Sequence, residues 1–125
     1  MQYLNKFSLA GRRALVTGSS RGIGFGIAQA LAGAGAELII NGRNQESLGA
    51  AAAKLAEAGA TVKALAFDVT SEESAEDAIA YAEAEIGPID ILVNNAGMQH
   101  RSALEDFPLE KFRQVMDTNL TSAFI

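Results

Sequence analysis

The chain has 125 residues, 49% apolar and 20% charged, with net charge −5 and pI near 4.8. This composition describes one soluble globular domain with enough residues to bury a core, and its acidity disfavours nucleic acid or an anionic membrane as partner. With no cysteine and a single histidine, His100, it offers no disulfide, no thiolate site and no metal-ligand cluster.

The opening, Met1 to Phe7, contains no apolar signal core, and no uncharged apolar run approaches membrane-span length, so a cytoplasmic location is expected. A first apolar run, residues 13–17, leads into Thr17-Gly18-Ser19-Ser20-Arg21-Gly22-Ile23-Gly24. Glycines between a strand and a helix let backbone N–H groups approach a phosphate, and the following helix turns its positive end to the same anion. The first βα turn therefore predicts a dinucleotide site.

Helix-like segments at 23–34, 45–58 and 71–86 each stop at a glycine: Gly35, Gly59 and Gly87. Between them lie Val-, Ile- and Leu-rich runs at 37–41, 62–67 and 89–93, without the polar alternation of a half-exposed strand. Asn44 is placed to cap the second helix, and Thr70 with Glu73 has capping-box spacing for the third. Pro108 suits the first turn of a fourth helix, whose apolar positions Phe112, Val115, Met116 and Leu120 recur at helical spacing.

The order βαβαβαβα predicts an α/β, Rossmann-type doubly wound parallel sheet of four units, with strand order 3-2-1-4. The ligand crevice should lie between strands 1 and 4. Strand 4 is expected to leave an unpaired apolar edge. Residues 119–125 remain apolar and in helical register, with no Gly or Pro stop. The expectation is that residues 1–125 form the N-terminal cofactor-binding part of a single Rossmann domain, with the C-terminal catalytic part missing.

Three further polar signals fall at or beyond strand ends: Asp68, Asn94-Asn95-Ala96-Gly97, and Asn119 in the fourth helix. Together with Thr-Gly-x-x-x-Gly-x-Gly they resemble the short-chain dehydrogenase/reductase family over essentially the whole chain. That resemblance implies that Gly18, Gly22 and Gly24 line the pyrophosphate turn and that Ser20, Arg21 and Ile23 touch the cofactor. It implies that Asp68 bonds the adenine amino group beside the backbone of Val69. Asn95, Ala96 and Gly97 would border the nicotinamide ribose and brace strand 4. Asn119 would serve catalysis by holding a relay water on its backbone carbonyl.

Cofactor choice turns on the end of strand 2, where enzymes preferring NAD place an acid for the ribose 2′-hydroxyl. Here Gly42 stands at that position, followed by Arg43, with Arg21 adding a second positive charge. A 2′-phosphate meets no repulsion and two donor forks, which predicts NADP(H). Beyond the Asn-Asn-Ala-Gly stretch, Gln99 and Arg101 lie in a loop above the crevice, where Arg101 could pair with a substrate carboxylate. For His100 an ordinary surface position is expected.

Phe7 to Gly11, the Asn41 to Asn44 turn, Gly87 to Val93, and Gln99 with Arg101 before Phe107-Pro108 resemble the family's gluconate 5-dehydrogenase subgroup. That implies hydride transfer between NADP(H) and a small sugar acid, and usually a homo-oligomer. His100 stands where that subgroup is expected to carry arginine. A 3-oxoacyl-carrier-protein-reductase-like enzyme is the alternative.

The family's acid/base is a tyrosine in Tyr-x-x-x-Lys assisted by a serine. The chain has only Tyr3 and Tyr81, the latter followed four residues on by Glu85. Read alone, the chain is thus expected to be inactive. It could be part of a reductase, a non-catalytic nucleotide-binding remnant, or a polypeptide that associates with itself through the bare strand edge.

Overall fold

Strands without polar alternation bury both faces, and the computed structural model, which describes residues 2–125, shows why this chain needs them to. Met1, at the head of the opening stretch that lacks a signal core, lies outside the described residues. Strands β1 (Arg13–Val16), β2 (Glu37–Gly42), β3 (Val62–Ala66) and β4 (Ile91–Val93) form one parallel sheet in the order β3-β2-β1-β4. Helices α2 (Gly22–Gly33) and α3 (Gln45–Glu57) cover one face, over Val16, Leu38 and Ile40. Helix α4 (Glu72–Glu85) covers the other, over Leu15 and Ile39. Alternate residues of β1 and β2 therefore feed two separate cores, so both faces of these strands must be apolar. The crossover changes face between the third and fourth strands, and the sheet's switch point falls between β1 and β4 as expected.

The same chain order puts β4 at an edge, paired with β1 alone in this sheet, and Leu92 there is 56% exposed. A four-residue helix α1 (Gln2–Asn5) and a 3₁₀ turn at Leu104–Asp106 add to the expected elements.

Three local expectations are corrected. The cap of α4 is Ser71, whose Oγ accepts from Ser74 N at 3.2 Å, and not Thr70 in a box with Glu73. Thr70 is drawn away because its amide and hydroxyl both donate to Asp68 Oδ1, at 2.9 and 2.7 Å. Pro108 precedes its helix in extended conformation rather than occupying the first turn. That helix is also not uniform: α5 (Leu109–Met116) passes through a π turn (Asp117–Thr121) into α6 (Ser122–Phe124). A π turn admits one extra residue per turn and often marks a functional position in a helix. Asn44, by contrast, caps α3 as expected, accepting from Ser47 N at 3.0 Å.

At the amino end of the sheet Arg13, in β1, clasps β2 and the loop leading into β4. Its guanidinium meets Glu37 Oε2 at 2.6 Å and Pro88 O at 3.0 Å, while its backbone N–H donates to Asp90 Oδ2 at 2.9 Å. Arg13→Met keeps the apolar stem and removes two charge-assisted hydrogen bonds. It should destabilise the chain by about 1–2 kcal/mol in urea unfolding. Glu37→Gln should cost less, because the Pro88 contact survives.

Candidate functional site

At the carboxyl end of the sheet the polar residues tie the strand ends to one another. Thr17 Oγ1 accepts from both Asn95 N and Ala96 N at 3.0 Å, and the Asn95 amide donates to Thr17 O and Gly18 O at 3.1 and 3.0 Å. The turn after β1 is thereby fastened to the loop after β4. Ser19 fastens it to β2: its hydroxyl donates to Val16 O and accepts from Asn41 N, and its own N–H donates to Asn41 O. Gly18 and Gly22 bend this turn with φ of +59° and +62°. A side chain at Gly24 would collide with Gly18 O and Asn95 Nδ2. Arg21 is the N-cap of α2 and makes no side-chain cap bond, so the first N–H groups of that helix point outward.

Gly22, Ile23 and Gly24 at this helix end border a cleft of about 1370 Å³. Gly18, Ser20, Arg21, Gly22, Ile23 and Gly24 form one part of its wall. Arg43, Asp68, Val69, Asn95, Ala96, Gly97 and Gln99 also line it, coming from the ends of β2, β3 and β4. Ile23 is 79% exposed there, an apolar side chain at the mouth of a polar turn. Every position assigned to a cofactor from the sequence thus borders one cavity.

Arg101 does not line the cleft and is exposed, and His100 instead packs edge-on against Phe107 at 5.2 Å between ring centroids. Asn119 lies in the π turn, and its amide grips the loop after β4 from both sides. Oδ1 accepts from Met98 N at 2.7 Å and Nδ2 donates to Met98 O at 2.8 Å. Tyr3 and Tyr81 are both exposed and outside the cleft.

The sequence reading missed Asn41, buried beneath the cleft, and a stripe of α5 and the π turn. Lys111, Gln114 and Thr118 line the wall at helical spacing, opposite the apolar stripe that had identified the helix. That complementary polar periodicity was the available signal. Lys111 Nζ donates to Gln114 Oε1 at 3.3 Å.

Asp68 is the titratable group whose environment shifts it. The Thr70 hydroxyl, then the Thr70 amide, hold its carboxyl below the ordinary range; partial burial opposes them, and the nearby Arg43 charge adds to the lowering.

A folded value below the unfolded one means the carboxylate stabilises the chain above its ordinary pKa of about 3.9. That contribution disappears as pH falls through the lowered folded value. Asp68→Asn should therefore be less stable than the parent at pH 7 and lose that difference in acid, followed by circular dichroism from pH 7 to 2. A difference independent of pH would contradict the assignment. Gly24→Ala should cost about 1–3 kcal/mol through overpacking against the Asn95 amide. Gly26→Ala, whose added methyl meets open space, should not destabilise and serves as the control in thermal unfolding.

Residues 12–125 match the model of a family described as short chain dehydrogenase. The chain is 46% identical over 124 residues to gluconate 5-dehydrogenase of Gluconobacter oxydans (strain 621H), covering 99% of this chain and 48% of that protein. It is 48% identical over 118 residues to D-beta-hydroxybutyrate dehydrogenase of Cupriavidus necator, covering 93% and 45% respectively. A crystal structure of gluconate 5-dehydrogenase from Burkholderia cenocepacia J2315, in complex with NADP and tartrate, superposes with a TM-score of 0.93 at 43% identity. That match covers 98% of this chain and 48% of the other. The chain thus spans about half the length of the relatives it matches. Fold, strand-end residues and whole-chain similarity agree, and the chain belongs to the short chain dehydrogenase family.

Proposed function

We propose that this chain is the NADP(H)-binding half of an oxidoreductase that moves a hydride between NADP(H) and a hydroxy acid of the gluconate type. The observation that carries the reading is the cleft at the switch point. An uncapped helix N-terminus and a glycine turn border it, with Gly42 and Arg43 beside that turn at the end of β2. The residues fit a dinucleotide phosphate. The outward N–H groups at the start of α2 take the pyrophosphate, and Gly18, Gly22 and Gly24 let the chain approach it closely. A Cβ at Gly42 would lie in ordinary contact with Ser20 and Leu48, so a side chain could start here without a clash, and the position carries no acid. Arg21 and Arg43, both exposed on the cleft wall, supply the positive charge a 2′-phosphate needs in a chain of net charge −5.

The remaining roles follow the same arrangement. Asp68 has its Oδ1 occupied by Thr70, and we assign Oδ2 to the adenine amino group beside Val69. Asn95, Ala96 and Gly97 border the nicotinamide ribose, and Asn119 keeps their loop in place through Met98. When bound, the cofactor supplies or accepts the hydride. Gln99, in the cleft, is the substrate-facing residue of the loop, with Arg101 two residues along it outside the wall.

Gluconate, hydroxybutyrate and tartrate, named in the relatives, are all hydroxy carboxylates and support an acid substrate, while a rhamnolipid-biosynthesis 3-oxoacyl-acyl-carrier-protein reductase of Pseudomonas aeruginosa, 46% identical over 119 residues, supports the acyl-carrier thioester as the second reading. With Tyr3 and Tyr81 outside the cleft, we expect binding by the 125-residue chain without turnover. The small-molecule partners and cytoplasmic location expected from the sequence belong to the same reading.

NADPH fluorescence on titration with the chain tests it directly: enhancement is expected, and its absence would overturn the reading. Gly42→Asp should weaken NADPH binding at least tenfold and strengthen NADH binding, and an equal loss for both would refute the 2′-phosphate assignment. Sustained oxidation of NADPH with 5-ketogluconate by this chain alone would overturn the expectation of inactivity.

A further inference from the structure

Asn41 is 2% exposed, yet its carboxamide lies beneath the cleft and makes three hydrogen bonds to two segments, the glycine turn after β1 and the end of β3. Its Oδ1 accepts from Gly18 N at 3.1 Å. Its Nδ2 donates to Leu65 O at 3.2 Å and to Phe67 O at 3.1 Å. The β2–β3 ladder ends at the pair Gly42 and Ala66, so the bond to Phe67 holds β3 one residue beyond the last paired position. On one side of Asn41 lie Gly42 and Arg43; just past Phe67 lies Asp68. We infer that Asn41 is a positioning residue for the nucleotide, setting the distance between the glycine turn and the two strand ends that receive the adenosine.

The chemistry of the side chain is specific. One acceptor and two donors are required within a single buried planar group, and only an amide supplies both. Aspartate keeps the acceptor for Gly18 N and loses both donors, placing a carboxylate against two carbonyls. Serine is too short to span the three partners. The side chain need not touch the nucleotide: it acts through the backbone on either side of the site.

This inference rests on the nucleotide-binding reading above, and the test separates the two. NADPH affinity is measured by fluorescence for the parent chain, Asn41→Asp, Asn41→Ser and Leu38→Ala. Leu38 lies in the same strand, 1% exposed in the core under α2 and α3, and its truncation reports loss of stability alone. Affinity is corrected for the folded fraction, taken from thermal unfolding. Both Asn41 variants should bind at least tenfold more weakly than the parent, while Leu38→Ala melts earlier and binds within twofold. If Asn41→Asp does not fold, Asn41→Ser alone decides. Binding by a folded Asn41 variant within twofold of the parent overturns the inference and leaves the reading intact. An equal affinity loss in Leu38→Ala also overturns it, as a general effect of instability. A parent chain that binds no NADPH overturns the reading and the inference with it.

Discussion

The hydroxyl of Thr17 is the point on which the carboxyl end of the sheet depends. Parallel strands leave unpaired N–H and C=O groups where they run out, and in this fold those ends must also hold open a ligand cleft. Thr17 Oγ1 accepts from two N–H groups beyond the end of β4, those of Asn95 and Ala96, and the Asn95 amide returns two donors to Thr17 O and Gly18 O. Two side chains thereby satisfy four backbone groups and fix the loop after β4 against the turn after β1. Gly24 is confined to glycine by the same arrangement, since the Asn95 amide occupies the space a side chain would take. The glycine motif and the asparagine motif are two halves of one packed contact, separated by about seventy residues of sequence.

That contact also sets the electrostatics. N–H groups at the start of α2 supply partial positive charge whatever the chain's net charge, and Arg21, Arg43 and Lys111 add three full positive charges to a wall that also carries the carboxylates of Asp68 and Asp117. An acidic surface around a locally positive cleft favours an anionic ligand at one place and discourages indiscriminate binding of polyanions elsewhere. Asp68 fits this scheme because Thr70 and Arg43 keep it ionised, leaving an acceptor among donors.

The parts of this structure legible in the sequence were those that rest on local, repeated constraints. Val-, Ile- and Leu-rich runs without polar alternation foretold β1 to β4, because β1 and β2 bury both faces between two helical layers, and glycines after α2, α3 and α4 marked their ends. The glycine turn could be assigned an anion because its chemistry is carried by backbone groups over eight consecutive residues. Asn41 was not legible: as a single polar residue at a strand end, it resembles a turn former, and its three partners are distant in sequence. The π turn was hidden for a similar reason. Helical periodicity continues through it at Val115, Met116 and Leu120, and the interruption becomes visible only when Asn119 is seen gripping Met98. Thr70 failed as a cap because a competing acceptor, Asp68, lay two residues away in a conformation that the spacing rule does not consider.

Cofactor choice and substrate choice are physically separable in this arrangement. Gly42 and Arg43 end β2, the strand on one side of β1, whereas Gln99 extends from β4 on the other, with the glycine turn between them. No hydrogen bond among the described residues joins the two loops directly; each is fastened separately to the turn, one through Asn41 and Ser19, the other through Thr17 and Asn95. On the proposed reading, exchanging an acid for glycine at the end of β2 alters the charge presented to a ribose without moving the loop assigned to the substrate. Changing residues 98–101 leaves the phosphate turn in place. Such a frame lets one dinucleotide site serve many substrates, and accounts for relatives as different in substrate as gluconate and hydroxybutyrate dehydrogenases sharing nearly half of the aligned residues with this chain.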